Sequence, residues 1–182
     1  TSVAVHVEGA PAINVTLDSE QALLFSVPEE TKSLHPYYDE VIAALDSLVA
    51  AAATYFEANC SFPDQGSTGV SNWELSCCSD YGLGGSDIDG DNLCDFSPDL
   101  WVQEPWTSLG FVHEAKTPFA FQVTSGPSQD GGVRFEATGY ADLDCDSVQS
   151  TFARFVHGFG DPGDATCAVE IVDGLYIHNE LE

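Results

Sequence analysis

Two short acidic stretches are the residues best placed to do chemistry. The first runs Asp87-Ile88-Asp89-Gly90-Asp91-Asn92-Leu93-Cys94-Asp95. Its carboxylates fall at relative positions 1, 3, 5 and 9, and position 7 offers the Leu93 carbonyl. Oxygen donors on alternate residues can curl around one hard cation, and this is the ligand spacing of a calcium loop. Position 6 of such a loop turns left-handed and takes Gly by preference; Asn92 is the next best residue there. Position 12 is Pro98, so the usual bidentate Glu is missing, and Asp99 or Asp80 would have to replace it. The second stretch, Asp142-Leu143-Asp144-Cys145-Asp146-Ser147-Val148-Gln149-Ser150, repeats the 1, 3, 5 spacing, with the Val148 carbonyl at 7 and Ser150 at 9. Ser147 stands where Gly is usual and Ala153 takes position 12, so this loop is the weaker match. Calcium is the expected cofactor of both, because carboxylates packed this densely repel one another without a cation. The bland alternative is a pair of solvated turns capped by their own Asp side chains.

Catalytic patterns are lacking. Gly84-Gly85-Ser86-Asp87-Ile88 lacks the closing Gly of a nucleophile elbow, and there is no H-E-x-x-H or paired C-x-x-C. His6, His35, His113, His157 and His178 are scattered, as structural histidines are. No carboxylate pair stands out among the thirty acids as a glycosidase couple. The chain reads as a non-enzyme.

Thirty acidic against four basic side chains give a net charge of −26. Such a surface repels nucleic acid and anionic membranes. Six cysteines fit an oxidising compartment. The lack of any methionine points to a leader removed on secretion. No apolar run reaches the ~20 residues of a membrane span. The expected location is therefore extracellular or cell-surface. Asn14-Val15-Thr16 and Asn59-Cys60-Ser61 match the glycosylation sequon, which counts only in a glycosylating host.

These loops need a scaffold, and the chain provides one in Pro36–Asn59. Val41, Leu45, Leu48, Val49, Ala52, Tyr55 and Phe56 recur at steps of three and four, one face of a helix. Pro36 suits the first helical position, and Asp39 and Glu40 suit the positive end of the macrodipole. The opposite face carries the small or polar Asp46, Ser47, Ala50, Ala53 and Thr54, suited to a second protein. Val3–Val7, Ile13–Leu17 and Leu23–Val27 predict a small β extension over residues 1–35. From Leu100 onward, Phe119–Val123, Val133–Tyr140, Thr151–Val156, Ala168–Val172 and Leu175–His178 read as strands separated by Gly, Pro and Asp turns, with Trp106–Phe111 a short helical lead-in. Residues 60–100 show little periodicity and need stapling. Cys77 and Cys78 are too close to bridge each other easily. One is expected to reach Cys60 and the other Cys94, each bridge adding about 2–4 kcal/mol; Cys145 and Cys167, the only cysteines of the C-terminal half, are expected to pair with each other. The predicted class is α+β, with a β extension (1–35) and one globular domain (36–182) in which a long helix packs on an antiparallel sheet.

A resemblance adds to this reading. Phe135–Asp146 followed by Ser150-Thr151-Phe152 is similar to the acidic-turn segment of type IV pilins of the myxobacterial kind. The helix ending Ala53-Thr54-Tyr55-Phe56 and the later Phe62-Pro63, the cysteines Cys77, Cys78 and Cys94, Pro105–Phe111 with Phe119-Ala120-Phe121, and Leu175–Glu182 resemble pilin features in the same order. The match covers roughly residues 36–182. Both glycines of the family's acidic turn are replaced here, by Cys145 and Ser147, and residues 1–35 stand where the apolar half of a pilin helix would be. The first acidic loop separately resembles the core of thrombospondin type 3 repeats. The pilin resemblance implies a helical spine on a four-stranded antiparallel sheet and a role in filaments, adhesion or motility. Its implied partners are other pilin-like subunits, further copies of itself, or a small chain supplying the missing apolar helix. The competing reading is a secreted binding module for a carbohydrate or surface ligand, with Trp73, Trp101 or Trp106 as a stacking platform. An acid-dependent hydrolase would need two carboxylates facing one pocket.

Overall fold

The computed structural model describes residues 2–5, 13–17 and 23–26 by their backbone, together with residues 37–68, 77–78, 87, 89–128, 131–146, 148–160 and 166–178. Three strands, β1 (Ser2–Val5), β2 (Ile13–Leu17) and β3 (Leu23–Ser26), form an antiparallel meander as a sheet of their own. The N-terminal strands predicted from sequence are thus present, β2 with the expected bounds, β1 beginning one residue earlier and ending two earlier, and β3 one residue shorter.

Helix α1 spans Tyr38–Asn59, 22 residues and about 33 Å. It starts two residues later than predicted, with Tyr37 at the N-cap; Pro36 lies outside the described residues. Cys60 ends it in the left-handed region (φ 51°), donating its N–H to the Phe56 carbonyl at 2.8 Å. The buried face comprises Tyr38, Val41, Ala44, Leu45, Leu48, Val49, Ala52, Ala53 and Phe56. Two details differ from the predicted stripe. Tyr55 is only half-buried, and Ala53, assigned to the outer face, is buried as part of the core. By length and composition α1 passes for a membrane span, which corrects the expectation that no segment would. Its apolar face is instead spent on the protein's own core.

The partner of that face is a six-stranded antiparallel sheet. β5 (Ala120–Pro127), β6 (Val133–Ala141) and β7 (Ser150–Phe159) form its meander. The far edge of β7 is shared by two short strands: β8 (Ala168–Ile171) pairs with Val156–Phe159, and β9 (Tyr176–His178) pairs with Thr151–Ala153. All five predicted C-terminal strands are therefore found. β4 (Gly66–Ser67) was not predicted; it pairs with β5, and next to it Thr68 exchanges hydrogen bonds with Phe121. The predicted helical turn is α2 (Trp106–Leu109), capped by left-handed Gly110.

Period-two alternation turns Phe121, Val123, Phe135, Ala137, Phe152 and Val156 toward α1. Two glycines let the helix sit close. Gly139, flanked across the sheet by Phe121 and Phe152, lies beneath Val41; a Cβ there would fall 2.7 Å from Val41 Cγ2. Gly158 lies beneath the Phe56 ring, and a Cβ there would overlap it. The two residues above these glycines are 15 positions apart, so the helix is seated on the sheet over about 22 Å.

Candidate metal centre

Both acidic loops emerge at the end of the sheet that holds the start of α1. Asp142 follows directly on β6, and the ring of Tyr38 meets Phe152, near the start of β7, at 5.2 Å. The first loop is tied to the segment entering β5: Cys94 N–H donates to the Thr117 carbonyl at 2.7 Å in an isolated antiparallel bridge.

In the first loop, Asp87 is buried and organises the turn. Its Oδ1 accepts from Gly90 N–H at 2.7 Å and Asp91 N–H at 3.3 Å, and its Oδ2 accepts from Asn92 N–H at 3.0 Å. Asn92 adopts the left-handed conformation expected of position 6 (φ 62°). Asp87, Asp89 and Asp95 bring one carboxylate oxygen each within 4.8 Å of one another, an arrangement able to hold a metal ion. Asp91 stands outside this trio. In the second loop, Asp142 (buried), Asp144 and Asp146 converge in the same way. Asp142 Oδ1 accepts from Asp146 N–H at 3.0 Å, and Asp146 Oδ1 from Val148 N–H at 2.8 Å. Leu93 and Val148 thus enter these turns as amide donors, Leu93 to Asp91 Oδ1 at 3.0 Å. Ser150 is buried as the first residue of β7. Ser147 lies outside the described residues. The left-handed residue that the two loops share is at position 4: Gly90 (φ 80°) in one and Cys145 (φ 62°) in the other.

The disulfides are Cys60–Cys167, Cys77–Cys94 and Cys78–Cys145. The link from the neighbouring pair to Cys94 agrees with expectation. The other two pairings correct it. Cys145 lies just before β7 and Cys167 just before β8, which pairs with the distal end of β7. Ten residues of strand at about 3.3 Å each separate those ends, far beyond disulfide reach. Cys60 likewise sits at the far end of α1 from the acidic loops, so Cys167 is its neighbour and Cys77 or Cys78 is not. As a result, adjacent residues Cys77 and Cys78 fasten the two acidic loops to one point, and Cys78 Sγ lies 3.0 Å from the Asp142 carbonyl oxygen.

Lys116 is the member of this cluster that sequence reasoning missed. Its Nζ lies 2.7 Å from Asp89 Oδ2, 2.8 Å from Asp91 Oδ2 and 3.0 Å from Asp95 Oδ1. The Cys94–Thr117 bridge places it there, a pairing between segments about 20 residues apart that no local motif announces. Its hydrogen bond holds the Asp91 carboxyl below its ordinary 3.8, and the bonds to Asp89 and Asp91 raise the Lys116 ammonium well above its ordinary 10.5. The Asp91 contribution is present above 3.8 and lost as pH falls through the depressed value; that of Lys116 is present below 10.5 and lost as pH rises through the elevated one. The pair is thus intact across the neutral range, and its exposure keeps its weight small. Of the other cations, Arg134 lies against Glu136 and Arg154 against Asp46, while Lys32 lies outside the described residues.

A tethered ammonium between three carboxylates competes with any metal for them. Lys116→Gln is therefore expected to tighten divalent-cation binding at the first loop. Calorimetric titration of the variant against the parent protein checks this, and an unchanged isotherm would refute the competition.

Trp101 and Trp106 are both buried, packed together at 5.8 Å with Phe111 against them. Trp106 presents no open face, and Trp101 reaches the surface only where it lines a groove; Trp73 lies outside the described residues. His113 Nε2 lies 3.2 Å from Glu40 Oε1, pinning the loop before β5 to the first turn of α1.

Searches against protein-family models, curated proteins and solved structures return no match to this chain.

Proposed function

We propose that the chain is a pilin-like structural subunit working outside the cell, its acidic turns held by calcium. The observation that carries this reading is the seating of one 22-residue helix along an antiparallel sheet, with the cysteine-stapled acidic loops gathered at one end. Three disulfides and no free cysteine fit an oxidising, extracellular setting. Both carboxylate clusters offer hard oxygen donors, the chemistry calcium prefers. On the outer side of α1, Ala43, Ser47, Ala50 and Thr54 are exposed and small, so a second helix could approach closely. Its source would be another subunit or a small apolar-helix chain.

Electron microscopy of the native material with a gold-labelled antibody tests the proposal. Filaments decorated along their length are expected; label confined to free particles would contradict it. The second reading, a secreted binding module, is favoured by one feature: an open groove beside the first acidic loop.

A further inference from the structure

The groove lies between segments 94–102 and 112–116, which the Cys94–Thr117 bridge holds together at one end. Its volume is about 1040 Å³. Phe96 and Trp101, edge to face at 5.3 Å, help line it, and the Trp101–Trp106–Phe111 cluster backs them. Val102 and Val112 also line it, and they are 75% and 54% exposed. The whole described surface exposes only four large aliphatic side chains, the others being Val148 and Ile171. Two of the four therefore line the same concave site, over an aromatic base. On a protein this highly charged, that grouping marks a contact surface.

Charge selects the occupant. The groove carries the exposed carboxylate of Glu114 together with Asp89 and Asp95, and the chain around it carries −26. A second copy would bring the same −26 to the same face, so self-association here is opposed. The acidic end already holds one lysine ammonium, that of Lys116, at 2.7 to 3.0 Å from three carboxylates. A basic side chain is thus what this end accommodates, while an apolar one suits the walls. We propose that the groove docks a basic, apolar-anchored peptide segment of a different protein. Its apolar residue sits between Val102 and Val112, and its lysine or arginine faces Glu114. The field of the whole chain draws such a segment in, and the apolar walls retain it. This inference does not rest on the filament reading; it shares Asp89 and Asp95 with the first carboxylate cluster, and Glu114, outside that cluster, is the contact it rests on.

Calorimetric titration with a synthetic lysine–leucine peptide tests it, with lysine–serine and glutamate–leucine peptides of equal length alongside. The lysine–leucine peptide is expected to bind best, and more weakly as salt is raised. Val102→Ser with Val112→Ser should weaken it roughly tenfold or more by removing the apolar walls. Ile171→Ser, an exposed site on β8, should leave binding as it was. All three side chains are exposed, so the fold should tolerate the changes. Equal binding of the lysine–serine peptide, or parental affinity in the double valine variant, would reduce the interaction to unspecific charge attraction and overturn the proposal. Stronger binding of the glutamate–leucine peptide would overturn it as well.

Discussion

Truncating Phe56 to alanine is expected to lower the unfolding free energy by about 3–5 kcal/mol, a large part of the ~5–15 kcal/mol that holds a typical domain folded. The side chain is fully buried. Its ring packs at a tilt, 4.6 Å from that of Phe62, which in turn meets Phe135 at 5.3 Å, and it rests on Gly158 of β7. Removing it strips the contact that seats the last turn of α1. The reverse error should also cost: Gly158→Ala drives a methyl into the same ring, for about 1–3 kcal/mol. The two changes should offset each other. With the ring gone, a methyl at position 158 fills space instead of clashing, so the double variant should be more stable than the sum of the singles by about 0.5–3 kcal/mol. Denaturant unfolding of the four proteins with disulfides intact measures this coupling. Strict additivity would mean that the helix does not rest on Gly158.

How much of this arrangement could be read from sequence depends on the range of the interaction. α1 and the strands were legible because burial imposes a period, as with Val41, Leu45, Leu48 and Phe56 on the helix. β4 was not, because Gly66 and Ser67 carry no pattern and are ordered by Val123 and Gln122 across the ladder. The carboxylate trios were legible from their alternate spacing. The left-handed residue at position 4 of the second loop was not, since Cys145 is an unusual residue there and its disulfide partner Cys78 is 67 positions away. The same distance effect misled the cysteine pairing. Cys145 and Cys167 are near in sequence, and β7 holds them at opposite ends of the sheet. Lys116 escaped notice because an isolated bridge, rather than a motif, carries it to the carboxylates. The pilin resemblance rested on the order of common pieces; what the structure shows is one long helix packed on an antiparallel sheet.

The second large effect concerns calcium. Each loop crowds three carboxylates, and Cys77–Cys78 binds both loops to one point, so disorder in one is passed to its neighbour through two covalent links. Lys116 offsets the charge in the first loop, and the three described cations all lie elsewhere than the second. The second loop should therefore depend more on an added ion. A ligand present at a hundred times its dissociation constant stabilises the folded state by about 2.7 kcal/mol. In a chain of this length that raises the melting temperature by roughly 5–10 °C, at about 2–4 °C per kcal/mol. Asp142→Asn combined with Asp146→Asn should abolish most of the gain, whereas Lys116→Gln should enlarge it.

Thermal unfolding of the purified protein in excess calcium and in excess chelator bears most directly on the claim that cations hold these turns. The melting temperature is predicted to rise in calcium by that margin and to lose most of the rise in the Asp142/Asp146 double variant. Superimposable melts in calcium and in chelator would contradict it.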